Sequence, residues 1–169
     1  ESQYLESARQ LAAGETEAGA SLYARLLAVC ERFTSGDAGT LRAARALNGL
    51  FLVLATGFCA AAAGRFWKQN RAIWIAGLLV ALNPVLVFWA GHIGPTLAAT
   101  ACLSFAVWRG LRIRRNPSPA EAAWAGTGLA LGSAFEPGLL GLALAWPLAA
   151  SALAQRRRLG FFPPSLATA

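Results

Sequence analysis

The sequence predicts an all-α protein: a polytopic helical membrane protein of about five transmembrane helices, preceded by two amphipathic surface helices. Three observations predict it. The chain of 169 residues is 56% hydrophobic and only 14% charged, with a mean hydropathy of +0.48. Soluble domains carry about 25% charged residues. The apolar residues form runs close to the roughly 17–25 residues that a span requires. Basic residues fall between these runs rather than inside them. High hydrophobicity excludes intrinsic disorder. A net charge of +7 suggests a nucleic-acid binder, but that class needs a clustered basic face on a soluble fold, so no nucleic-acid partner is expected.

Five spans are predicted, at 41–63, 72–91, 95–111, 120–135 and 138–154. The last two are separated only by Glu136-Pro137. A tight hairpin is preferred there, because an unbroken helix of some 35 residues would run about 52 Å. Asn83-Pro84 falls inside the second span and predicts a kink, since proline removes a backbone donor and clashes with the preceding turn. Asn83 is expected to satisfy a freed carbonyl, and Asn48 to make a helix–helix hydrogen bond. Gly128 and Gly132 form a G-x-x-x-G pair that permits close helix approach. The six tryptophans lie mostly near span ends, as an interfacial belt requires.

Lys and Arg concentrate in short cytoplasmic loops. Arg65, Lys68 and Arg71 follow the first span, Arg109, Arg112, Arg114 and Arg115 the third, and Arg156, Arg157 and Arg158 the fifth. The turns at 91–94 and 135–137 carry no Lys or Arg. Strict alternation then places residues 1–40 outside the cell membrane, and the arginines act as topology signals and lipid-headgroup anchors. The chain divides into an extracytoplasmic segment (1–40), a transmembrane bundle (41–158) and a short tail or start of a next segment (159–169).

Within 1–40, Tyr4, Leu5, Ala8, Leu11 and Ala12 share one helical face, and Gly14 ends that helix. Leu22, Leu26, Val29, Cys30 and Phe33 mark a second. Both are too short to span. They are expected to lie on the membrane surface, apolar faces down, or to pack against the outer ends of the spans. Three cysteines without a C-x-x-C pair, and a single histidine, argue against a structural zinc site. Methionine is absent, and the chain is expected to be a fragment of a longer protein.

The order of elements resembles the C-type-fold membrane glycosyltransferases, in particular the protein O-mannosyltransferase and aminoarabinose transferase group. The resemblance rests on Glu1-Ser2-Gln3-Tyr4 leading the first helix, Arg45-Ala-Leu-Asn48-Gly-Leu, Gly64-Arg65-Phe66-Trp67, Ala81-Leu-Asn83-Pro84 and Ala125-Gly126-Thr-Gly128-Leu-Ala-Leu-Gly132. Two sites depart from the family pattern: Gly94-Pro95-Thr96 lacks its acidic residue, and Glu136 stands where Lys or Arg often precedes Pro137. The resemblance implies an enzyme that moves a sugar from a polyprenyl-phosphate donor to an acceptor hydroxyl, at the extracytoplasmic face of a bacterial inner membrane. Glu1 would be the second acid of a catalytic pair whose first member, an Asp acting as general base, precedes the chain. The leaving phosphate would require cations or a divalent metal, for which Arg42 and Arg45 are the candidates. Tyr4, His92 and Glu136 complete the expected substrate-binding set. The alternative is a non-enzymatic polytopic protein, a transporter or assembly subunit; an Asp directly upstream of Glu1 would discriminate in favour of the enzyme.

Overall fold

A computed structural model describes residues 2–13, 21–34, 36–115, 118–141 and 144–145. Seven α-helices and one 3₁₀ turn occupy these residues. Helix α1 is Ser2–Ala12 and α2 is Leu22–Phe33. The Ser21 hydroxyl caps α2, accepting from the Ala24 N–H at 3.2 Å. The two helices pack together through Ala8, whose small side chain is fully buried, and through an edge-to-face contact between Tyr4 and Tyr23 at 5.7 Å. The apolar face expected on α1 is therefore present, but it rests on protein. On α2 the buried face is Tyr23, Ala24, Leu27 and Ala28, and Phe33 is 86% exposed. The predicted stripe was one position out of register, because it followed the largest aliphatic residues rather than the face that Tyr4 and Ala8 meet.

Gly36, at φ +76°, turns the chain from α2 into α3. Its carbonyl accepts from the Gly39 and Thr40 N–H groups. Side chains rarely adopt this φ, so glycine is the residue the turn requires. Helix α3, Asp37–Trp67, has 31 residues and runs about 46 Å. It is the axis of the fold: α2, α4, α5 and α6 all pack on it. Lys68, in the left-handed region at φ 54°, ends it.

Helix α4 is Asn70–Ala81 and α5 is Pro84–Gly91, bent by 51° at the break between them. The kink falls at Asn83-Pro84, as the proline predicts. Asn83 does the opposite of what was expected of it, however. It fills no freed carbonyl; its Oδ1 accepts from the Val85 and Leu86 N–H groups at 3.0 and 3.4 Å and so caps α5. Helix α6 is Thr96–Arg115 and α7 is Pro119–Phe135, the latter capped by the Ser118 hydroxyl. The α6–α7 pair is the most extensive contact in the fold. It is close because Gly128 faces the Cys102 carbonyl and Ala106, and Gly132 faces Cys102 and Ala99. A 3₁₀ turn, Pro137–Leu139, follows.

The five-span bundle is not what forms. Among the described residues one helix, over Ala38–Trp67, is long and apolar enough to cross a membrane, and a second only if the bent α4–α5 pair is taken as one. The reasons are geometric. Helix α7 has 17 residues and is about 25 Å long, short of a hydrocarbon core of about 30 Å. Helix α6 carries Arg109, Arg112, Arg114 and Arg115 in its last two turns, and it buries Leu97, Ala98, Ala99, Ala101 and Ala106 within the protein. Hydropathy counts apolar atoms without regard to what covers them, so helices that pack on one another were read as spans. The topology built on alternation fails for the same reason. The inner-membrane placement, the bilayer as partner and the outside position of residues 1–40 fall with it. The predicted fifth span lies outside the described residues except at 138–141 and 144–145, as do Arg156, Arg157, Arg158 and the tail at 159–169.

Candidate functional site

Two polar constellations form on α3, separated by about 25 Å of helix. The first joins α2, α3 and the end of α5. Asn48 is completely buried. Its Oδ1 accepts from the Tyr23 hydroxyl at 2.9 Å, and its Nδ2 donates to the His92 carbonyl. One amide thus ties three elements that are 25 and 44 residues apart in sequence. The His92 ring lies tilted on Phe88 at 4.0 Å, with Nδ1 2.8 Å from the Phe88 carbonyl. A carbonyl only accepts, so Nδ1 carries a proton in this contact. Burial pushes the Tyr23 phenol up to about 12 from its ordinary 10, against the opposing pull of a hydrogen bond from the Gly94 backbone.

That shift has a testable consequence. The folded state holds the Tyr23 proton more tightly than the unfolded state does. The associated stability is complete below pH 10 and is lost as pH rises towards 12. In a Tyr4→Phe variant Tyr23 is the sole tyrosine. Its tyrosinate absorbance is expected to appear near pH 12 in the folded protein. Titration at the ordinary value while helicity persists would show the phenol to be solvated.

The second constellation gathers at the other end of α3. Both Glu121 carboxylate oxygens are engaged, one by Arg109 Nη1 and one by Arg112 Nη1, each at 3.0 Å. The Arg109 guanidinium lies 4.7 Å from the centre of the Trp108 indole, 5.2 Å from Phe105 and 5.6 Å from Trp124. Arg65 and Arg112 approach the same indole at 5.1 and 5.4 Å. Phe58 stacks on it at 5.6 Å. Cation–π contacts of this kind contribute about 0.5–2 kcal/mol each as they lose water. Two donors in the cluster, Arg109 Nε and Trp108 Nε1, are buried with no acceptor among the described residues, and each such group costs about 1–3 kcal/mol. Arg65, Arg109 and Arg112 were expected to anchor lipid headgroups; they are held instead by aromatic rings and, for the last two, by a carboxylate.

Two of the residues expected to bind substrate come near one network. Tyr4 and His92 both border the Asn48 network, Tyr4 through Tyr23. Arg42 and Arg45 are exposed on α3. Glu136 is half-buried at the C-terminus of α7, where its N–H donates to the Gly132 carbonyl. Glu1, the expected catalytic acid, lies outside the described residues. Among the described residues no group of three or more His, Cys, Asp or Glu is placed to hold a metal. Tyr23 and Glu121 were not singled out from the sequence. For Glu121 a signal existed: it is the one acidic residue between the arginines of 109–115 and Trp124.

A third feature is a surface. Not one residue of α4 or α5 is buried. Between Arg71 and Arg109 the chain carries no Asp, Glu, Lys or Arg. Ile73, Trp74, Ile75, Leu78, Leu79, Leu82, Val85, Val87 and Phe88 are all exposed, Trp74 to 80%. Helix α4 meets α3 where Gly77 faces Ala60 and Thr56 and where the Ile73 side chain lies over Gly64.

The chain matches no family model, no curated protein and no solved structure. The resemblance to the C-type membrane glycosyltransferases is therefore corrected. Its strings are apolar helical patterns with a few fixed letters, and packed helices of any ancestry generate them. Sugar transfer from a polyprenyl-phosphate donor goes with the family. The polytopic alternative goes with the five-span bundle.

Proposed function

We propose that the chain is a docking module, in which the α4–α5 arm packs on an apolar helical surface of a partner protein. One observation carries this reading: a largely apolar pair of helices, 12 and 8 residues long and charged only at Arg71 in the first turn, contains no buried residue. Contiguous exposed apolar patches mark interaction surfaces. Burying a large aliphatic or aromatic side chain contributes about 1.5–3 kcal/mol, and several acting together can exceed the entropy cost of association. The Asn48 network supports the arm from behind, since it holds the His92 carbonyl where α5 ends. Beyond Arg71 the surface carries no Lys, Arg, Asp or Glu, so it has little electrostatic means of selecting a polar partner.

A second copy of the chain is the first partner to test, by sedimentation of the full chain without detergent. The expected result is an associated species that a Leu78→Glu/Leu79→Glu variant converts to monomer with unchanged helicity. A wild-type chain that is monomeric, or that enters lipid vesicles without any protein–protein association, would overturn the proposal.

A further inference from the structure

His92 is the only histidine in the chain, and histidine is the side chain whose charge changes between about pH 5 and 8. It ends α5, where its backbone N–H donates to the Trp89 carbonyl. Its half-buried ring lies on Phe88, with centres 4.0 Å apart, and 6.0 Å from the Trp89 ring. Phe88 is one of the exposed residues of the docking face, so a partner that covers Phe88 takes water from the imidazole as well. Nδ1 is held 2.8 Å from the Phe88 carbonyl. That contact fixes the ring on the arm, and the proton that charges it then enters at Nε2.

Among the described residues, the helices packed on α5 bring no carboxylate beside this ring. They are α3, α4 and α6. Helix α3 meets the end of α5 through Asn48, an uncharged amide that donates to the His92 carbonyl. Arg45, about one turn before Asn48, is exposed, and its charge opposes an imidazolium. The one carboxylate on α3, Asp37, stands about three turns before Asn48. Helix α4 carries Arg71 in its first turn and no acid. Helix α6 has no acid either, and burial pushes its Cys102 thiol up. Tyr23, behind Asn48, is pushed up to about 12 and so is uncharged over the same range. Glu136 ends α7, whose main contact is α6.

We propose that His92 makes docking through α4–α5 sensitive to pH: the arm associates while the ring is neutral and is released when the ring takes up a second proton. The inference rests on the docking reading above. Burial disfavours the charged form of an imidazole, and a charge carried into an apolar interface without a partner costs free energy that the neutral ring does not. A covered ring therefore gives up its proton more readily than an open one, so association is complete at the upper end of the range and is lost as pH falls. The open imidazolium, by contrast, is favoured at a helix C-terminus, so α5 keeps its structure while the partner leaves.

The test is sedimentation of the full chain between about pH 5 and pH 8 at constant ionic strength, with helicity recorded alongside. Association is expected to weaken about tenfold or more from the upper to the lower end, with unchanged helicity. His92→Gln, which takes up no proton, is expected to give one association strength across the range. Equal association by the wild-type chain at both ends, or a pH dependence retained by folded His92→Gln, would overturn the proposal and leave docking standing. Loss of helicity in step with association would also overturn it, since the chain would then be unfolding. Absence of association at every pH removes the docking reading, and this one with it.

Discussion

Replacing Asn48 by Ala is expected to cost about 2–4 kcal/mol of folding stability, one of the two largest effects of a single substitution in this fold. The substitution removes the acceptor of the Tyr23 hydroxyl and the donor to the His92 carbonyl at once. It leaves both groups inside the protein and opens a cavity at a site with no exposure. Marginal stability makes this a large fraction of the whole. Equilibrium unfolding in urea measures it. Tyr23→Phe is expected to cost less, about 1–3 kcal/mol, because it opens no cavity and the groups that lose a partner are the Asn48 oxygen and the Gly94 backbone. The double variant should then fall short of the sum, since each single change breaks the same bond. Additive losses would mean that the two side chains are not coupled.

Gly128→Val is expected to destabilise by about 1–3 kcal/mol or more by overpacking. A Cβ there would sit 2.9 Å from the Phe105 ring, 3.1 Å from the Cys102 carbonyl oxygen and 3.2 Å from Ala106 Cβ. The ring can turn aside, but the carbonyl belongs to the α6 backbone, so α6 and α7 must separate. Gly126→Ala is the control. The same helix offers open space there, and alanine is favoured over glycine in a helix by about 1 kcal/mol. Thermal unfolding of the two variants should shift in opposite directions. A shift in the same direction would place the α6–α7 interface elsewhere.

The features legible in the sequence were local ones. The 3.6-residue spacing of Tyr4, Ala8 and Leu11 marks α1, and Asn83-Pro84 marks the break between α4 and α5. Gly128 and Gly132 mark the close approach of α7 to α6. What covers each apolar face was not legible. Leu97 and Ala98 are buried in protein, while Leu79 and Leu82 are bare, and nothing in hydropathy distinguishes them. Small residues decide it: α6 and α7 meet through alanine and glycine, so both helices can come close enough to bury a face. The pairings that build the candidate sites were equally hidden. Asn48 meets residues 25 and 44 positions away, and Arg109 on α6 finds Glu121 on α7. Local periodicity carries no record of either distance. The arginines were legible as charges but not as partners of Trp108.

The central claim is that α4–α5 is an apolar surface, left bare by the described residues, for another protein to cover. Amide hydrogen exchange across residues 73–89, measured over a range of chain concentrations, tests it most directly. The account predicts fast exchange at high dilution and protection that grows as the chain associates, while the amides around Asn48 on α3 stay protected throughout. Strong protection of 73–89 at every concentration, without association, would contradict it.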